Sequence, residues 1–261
     1  MKKAPVFFIS HGAPSFAIEP DALSEYLQKL GQSLKDIRAV LVISPHWQTS
    51  VLSVMTTPEP PSIHDFSGFQ EILYTLQYPA KGHAELAEKT MQCLLDAGWG
   101  VHADHLRGLD HGAWVPLLYL LPEAKIPVFQ VSMPRDLTAK SAIALGQALA
   151  PLREQGVLII GSGGLTHNLY EISPKETAPA GYVKLFADWM RSAVLSRDIQ
   201  KLENYRQLAP HAERAHPTDE HLLPLMVALG ASANDEVPFV FDGPIYYGML
   251  SMESYFWGVS D

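Results

Sequence analysis

The sequence predicts an α/β fold: a single domain over residues 1–261, with a central, mostly parallel or mixed sheet flanked by helices on both faces. Three observations predict it. Short runs of Val, Ile, Leu and Phe recur without polar alternation, as strands covered on both faces require. Amphipathic helical patterns fall between those runs, the alternation expected of helices layered on a sheet. The chain, 261 residues long and 47% hydrophobic, is long enough for one large core.

Taken in order, the first strand is 5–10, ending "FFIS", and a turn through Gly12 and Pro14 follows. "DALSEYLQKLGQSL" (21–34) spaces Leu23, Tyr26, Leu27 and Leu30 for one face of a helix. Strands are expected at 38–44 and 51–56, with a stiff loop at "PEPPS" (58–62) beyond them. "HAELAEKTMQCLLDAG" (83–98) is helical, stops at Gly98, and carries the single cysteine, Cys93, as a small core residue. A helical run starts near "WVPLLYLLP", then come a strand at 127–132, a helix at 137–156 and a strand at 157–161. "GYVKLFADWMRSAVLS" and "EHLLPLMVALG" supply later helices; 238–242 and the terminal "YFWG" supply two adjacent strands.

Composition narrows the function. Nineteen basic against 28 acidic residues give a net charge of −9, which argues against a nucleic-acid or anionic-membrane partner. The longest apolar stretch, 114–122, is about half of a membrane span. With one cysteine and no secretory leader pattern, the protein is expected in the cytoplasm. The sequence leaves the oligomeric state open.

The chemistry lies in eleven histidines. His11, His46 and His167 each follow a predicted strand, and ligands of α/β folds bind beyond the carboxyl ends of strands. His111 stands in the loop "GLDHGAW" before a helical run. His221 is expected in the first turn of a helix opened by Pro217 with Thr218 as N-cap. Converging neutral imidazoles bind zinc or ferrous iron, and spare ones carry protons. His83, His102, His105, His211 and His216 are expected to be hydrogen-bonded surface residues. No G-x-S-x-G elbow, Walker A loop or H-E-x-x-H is present, and "GSGG" (161–164) is a poor phosphate cradle.

Six blocks then carry a resemblance: "ISHGAPS", "ISPHWQT", "PPSIHDFSGFQEILYTLQYPA", "LDHGAWVPLLYLLP", "GSGGLTHNLYE" and "PTDEHLLPLMVALGA". In this order and spacing the chain resembles the class III extradiol ring-cleavage dioxygenases, DOPA-dioxygenase type. The resemblance implies His11, His46 and His221 as metal ligands, with Glu220 the rival for the third place. It implies His167 as the acid–base residue and His111 as a hydrogen-bond donor toward dioxygen or substrate. His64 and Asp65 are expected to line the substrate pocket; Trp47, Phe66 and Trp114 are either pocket walls or core aromatics.

The implied activity is oxidation of a catechol by dioxygen with Fe(II), giving a ring-opened semialdehyde. Zn(II), higher in the affinity order, is expected to compete for the site in purified protein. The alternatives are a zinc hydrolase on this scaffold and a binding protein that kept the fold without the chemistry.

Overall fold

The computed structural model describes residues 3–173 and 178–259. Its strands are β1 Val6–Ser10, β2 Ala39–Thr49, β3 Leu52–Met55, β4 Val101–Asp104, β5 Val128–Pro134, β6 Val157–Gly163, β7 Phe239–Phe241, β8 Ile245–Tyr246, β9 Leu250–Ser251 and β10 Ser254–Trp257. The helices are α1 Ala22–Ser33, α2 Ala84–Asp96, α3 His111–Leu120, α4 Ala139–Leu149, α5 Gly181–Leu195, α6 Ile199–Glu203, α7 Tyr205–Leu208, α8 Ala212–Ala215 and α9 Leu223–Ala231.

Among the described residues, eight strands form one mixed sheet in the order β4-β3-β5-β2-β6-β1-β10-β7, and β8 pairs with β9 alone. The centre, β5-β2-β6-β1, is parallel. Toward the edges β3 runs antiparallel to β5, β10 to β1, and β7 to β10. Every residue of β1 and β6 is buried, which is why both read as unbroken apolar runs.

Alternation along β6 separates the two helical faces. Ser162 turns toward α3, where its Oγ donates to Gly112 O at 2.5 Å. Gly161 and Gly163 turn toward α9: a Cβ at Gly161 would lie 2.1 Å from Pro224 O, and one at Gly163 2.2 Å from His221 O. The glycines of "GSGG" thus let the chain around His221 press against the sheet, and no phosphate cradle is needed to explain them. With α1 beside α3 and α4 beside α9, helices cover both faces of this single α/β domain.

Three expectations are corrected. The helix over 137–156 ends at Leu149; a 3-10 turn, Ala150–Gln155, follows because Pro151 cannot continue an α-helical ladder, and Gly156 closes it at φ +81°. The last helix starts at Leu223 with Pro224 in its first turn, five residues beyond Thr218. Pro217 and Thr218 precede a separate turn, and the Thr218 hydroxyl donates to Glu220 Oε1 instead of capping a helix. His216 is fully buried, not on the surface, with Nε2 donating to Leu165 O at 2.8 Å. No helix among the described residues is long and apolar enough to cross a membrane.

Candidate active site

The carboxyl ends of β1 and β6 and the distal part of β2 deliver the histidines. His11 directly follows β1, and its backbone N–H still donates to Gly163 O at 2.9 Å. Gly12 then turns the chain at φ +67°. His46 lies inside β2, where the register against β5 shifts between Ile43 and Gln48, so the strand bends and re-aims the ring. His167 follows β6, and its backbone N–H donates to Ala215 O at 2.9 Å.

His111 is the first residue of α3, capped by the buried Asp110. That carboxylate also accepts from Ser44 Oγ at 2.7 Å, Arg107 Nη2 at 2.8 Å and Gln130 Nε2 at 2.9 Å. Gly112, next to it, leaves room for Ser44 and His46, which a Cβ would meet at 2.4 and 3.0 Å. His221 sits in the turn just before α9, its carbonyl accepting from Gly164 N at 2.9 Å.

Five histidines thereby meet in one cavity of about 320 Å³, walled further by Phe66, Phe69, Leu169, Ile172, Tyr247 and Leu250. One ligand nitrogen from each of His11, His46 and His221 lies within 4.8 Å of the others. The rings of His167 and His221 stack, 3.5 Å between centroids and 6° between planes.

The hydrogen bonds fix how the rings are turned. Ser162 Oγ uses its proton on Gly112 O, so at His11 Nδ1, 2.9 Å away, it can only accept. The His11 proton is therefore on Nδ1, and Nε2 faces the cavity bare. Glu220 Oε1 lies 3.0 Å from His221 Nδ1, and Asp65 Oδ1 3.0 Å from His111 Nδ1. Asp65 Oδ2 faces His46 Nδ1 at 3.5 Å. In each case a carboxylate takes the Nδ1 side and leaves Nε2 to the cavity.

Burial makes bare nitrogens persist. Desolvation, reinforced by the neighbouring imidazoles, lowers His11 and His221 well below the ordinary histidine range. His46 is lowered to about 4 by burial and by His111, against the opposing pull of Asp110 and Asp65. His167 is lowered mainly by burial, and Glu220 opposes that shift. For Asp65, burial acts upward, but the His111 hydrogen bond and charge outweigh it and hold the carboxyl at about 2.

Neutral rings with their lone pairs turned inward suit a divalent cation. His11 Nε2 and His46 Nε2 are 3.3 Å apart. Two nitrogens each ~2.1 Å from a shared ion, at angles from octahedral to tetrahedral, stand roughly 3.0–3.4 Å apart. The spacing fits, and the three imidazoles leave coordination positions for other ligands.

Not every expected residue reaches the cavity. Asp65 and Phe66 line it. His64 stands behind, with Nε2 donating to Leu76 O at 2.9 Å. Trp47 is buried with the Arg107 guanidinium stacked on its ring, and Trp114 is a core residue donating to Ile63 O. Sequence reasoning missed Ser162 and Asp110. Both carried a signal: a hydroxyl in an otherwise apolar strand and an acid before a helix need partners.

The model of the family described as the catalytic LigB subunit of aromatic ring-opening dioxygenase matches residues 5–256. A 4,5-DOPA dioxygenase extradiol of Beta vulgaris is 40% identical over 253 residues, covering 95% of this chain and 94% of that protein. The protein of the same name in Escherichia coli (strain K12) is 33% identical, covering 97% and 94%. The crystal structure of an uncharacterized Escherichia coli K12 protein superposes with a TM-score of 0.81 at 27% identity, covering 97% of this chain and 99% of that one.

Proposed function

The chain belongs to the family of the catalytic LigB subunit of aromatic ring-opening dioxygenases, and on that premise we propose that it is a metal-dependent extradiol dioxygenase, its whole length one catalytic domain, opening the ring of a catechol such as DOPA or a related diol. One observation carries the reading: His11, His46 and His221 each bring a ring nitrogen within 4.8 Å of the others, with Ser162, Asp65 and Glu220 facing their Nδ1 atoms, in a cavity lined by two further histidines.

His11, His46 and His221 hold the ion, Fe(II) for activity, and Glu220 supports His221 from Nδ1. Ferrous iron, when bound, acidifies the diol hydroxyls and couples diol to dioxygen electronically. The chain's own residues then hold and move protons. His167 is neutral because burial lowers it, so it is ready to accept a hydroxyl proton and to return it later. Its stacking on His221 keeps it beside the ligand set. His111, bound at Nδ1 by Asp65, presents Nε2 where charge develops on oxygen. Phe66, Phe69, Leu169 and Ile172 give the cavity an apolar wall for the ring. Both atoms of dioxygen enter a ring-opened semialdehyde.

The test is anaerobic loading with ferrous iron, then DOPA, catechol or protocatechuate and admission of air. A yellow ring-opened product with equimolar oxygen uptake is expected. Full metal loading with no oxygen uptake from any catechol overturns the proposal, and ester or amide hydrolysis by the zinc-loaded protein would favour a hydrolase.

A further inference from the structure

The hairpin between β8 and β9 turns through Tyr246, Tyr247, Gly248 and Met249, with Met249 N donating to Tyr246 O at 3.0 Å. Both central residues have positive φ, +53° at Tyr247 and +76° at Gly248. That is the signature of a type I′ turn, whose first central position favours Asn, Asp or Gly. A bulky aromatic there is strained, and such strain persists only where the surroundings hold it.

The surroundings do hold it. Ser173 N donates to Tyr247 O at 3.2 Å, Ala180 N to Gly248 O at 2.8 Å, and Thr166 Oγ1 to Met249 O at 2.6 Å. The turn is thereby tied to the segment that carries His167. Half-buried Tyr247 has access to two spaces. It lines the histidine cavity, and it also lines a neighbouring cavity of about 170 Å³ that reaches Ser15 and Glu19. Gly12, Ala13 and Leu250 are the other residues common to both.

We propose that Tyr247 is a specificity-determining residue: its side chain is the partition between the two cavities and limits the length of the substituent on a bound catechol. The inference rests on the catechol reading above. Asparagine at this position suits the turn but is too short to divide the cavities. Its introduction relieves the strain of the positive φ and removes the ring that stands between them.

The experiment compares wild type, Tyr247→Asn and Tyr247→Phe on catechol and 4-butylcatechol. It reads kcat/KM with ferrous iron and, separately, the Kd of each catechol for the zinc-loaded protein. Tyr247→Asn is expected to raise the preference for 4-butylcatechol over catechol at least tenfold in both readouts, with Tm unchanged or higher. Tyr247→Phe, which keeps the ring, is expected to stay within twofold of wild type. An unchanged preference in Tyr247→Asn, or a Tm lowered by several degrees, overturns the inference and makes Tyr247 a packing residue. A wild type that binds catechols without cleaving them overturns the proposed function alone, and the Kd ratio still decides the partition. A wild type that binds none overturns both.

Discussion

Asp65→Asn isolates one carboxylate that serves two rings. Asp65 Oδ1 takes both the Nδ1–H and the backbone N–H of His111 at 3.0 Å, while Oδ2 faces His46 Nδ1 at 3.5 Å. Asparagine has the same shape but exchanges one acceptor for a donor. Whichever way the amide is turned, its NH₂ meets one of the two ring N–H groups. The ring that loses its acceptor turns over or moves its proton to Nε2, the atom left to the cavity. Where that ring is His46, metal binding weakens directly; where it is His111, His46 still exchanges a charged acceptor for a neutral one. Loss of such a support costs ~10–100-fold in metal affinity, or about 1.4–2.8 kcal/mol. Competition for Zn(II) against a chromophoric chelator measures it, with and without His111→Ala. The reasoning requires Asp65→Asn to weaken zinc in both backgrounds. Zinc affinity of the double variant within threefold of His111→Ala alone would refute the link to His46.

Three further outcomes follow from named contacts. His167→Ala is expected to keep zinc affinity within about threefold while lowering catechol turnover by roughly 10²–10⁴; an unaffected kcat removes its proton-transfer role. Gly161→Ala puts a Cβ 2.1 Å from Pro224 O and must push α9 off β6. It should cost about 3 kcal/mol and lower Tm by roughly 6–12 °C, and a loss under 2 °C by scanning calorimetry would contradict the packing described. His216 is lowered to about 4 by burial, against an ordinary value of 6.5, so the unfolded chain takes up its proton first. Stability from this group is therefore intact above pH ~6.5 and declines as pH falls toward 4, by up to about 3 kcal/mol. His216→Gln should flatten that part of the stability–pH curve, and an unchanged slope would show that His216 titrates normally.

The parts of this structure visible in the sequence are those set by period. Continuous apolar runs announced β1, β2 and β6, and the ends of β1 and β6 announced His11 and His167, because strand direction carries such residues to one edge; His46, expected after a strand at 38–44, lies inside β2, which runs on to Thr49. The start of α9 is not legible in the sequence because two prolines, Pro217 and Pro224, both suit a first turn, and only tertiary contact between residues 221–224 and the glycines of β6 chooses between them. His216 looked like a loop residue, yet its carbonyl partner, Leu165, is 51 positions away. Trp47 sits next to His46, but successive side chains of a strand face opposite ways, and it goes to Arg107 instead of the cavity. Tyr247 was illegible because its turn lacks the Asn-Gly or Asp-Gly that marks a tight hairpin, and two-residue strands leave no alternation to read.

The supports behind the three candidate ligands differ in charge, and the difference bears on what the site can do. Three neutral imidazoles would leave the charge of a bound dication undiminished and available to an oxygen-bearing ligand. A carboxylate in the place of His221 would cancel one unit at the ion itself. Glu220, one residue along, instead lies on the Nδ1 side of His221, and Asp65 occupies the equivalent place behind His46. There the negative charges orient the rings and strengthen their lone pairs while remaining one imidazole away from the candidate ion site. His11 has a neutral support, Ser162, relayed to the Gly112 carbonyl at the start of α3. Two carboxylates and one hydroxyl around a dication sum to zero net charge. On the proposed function, a neutral diol would then enter without leaving a large uncompensated charge buried.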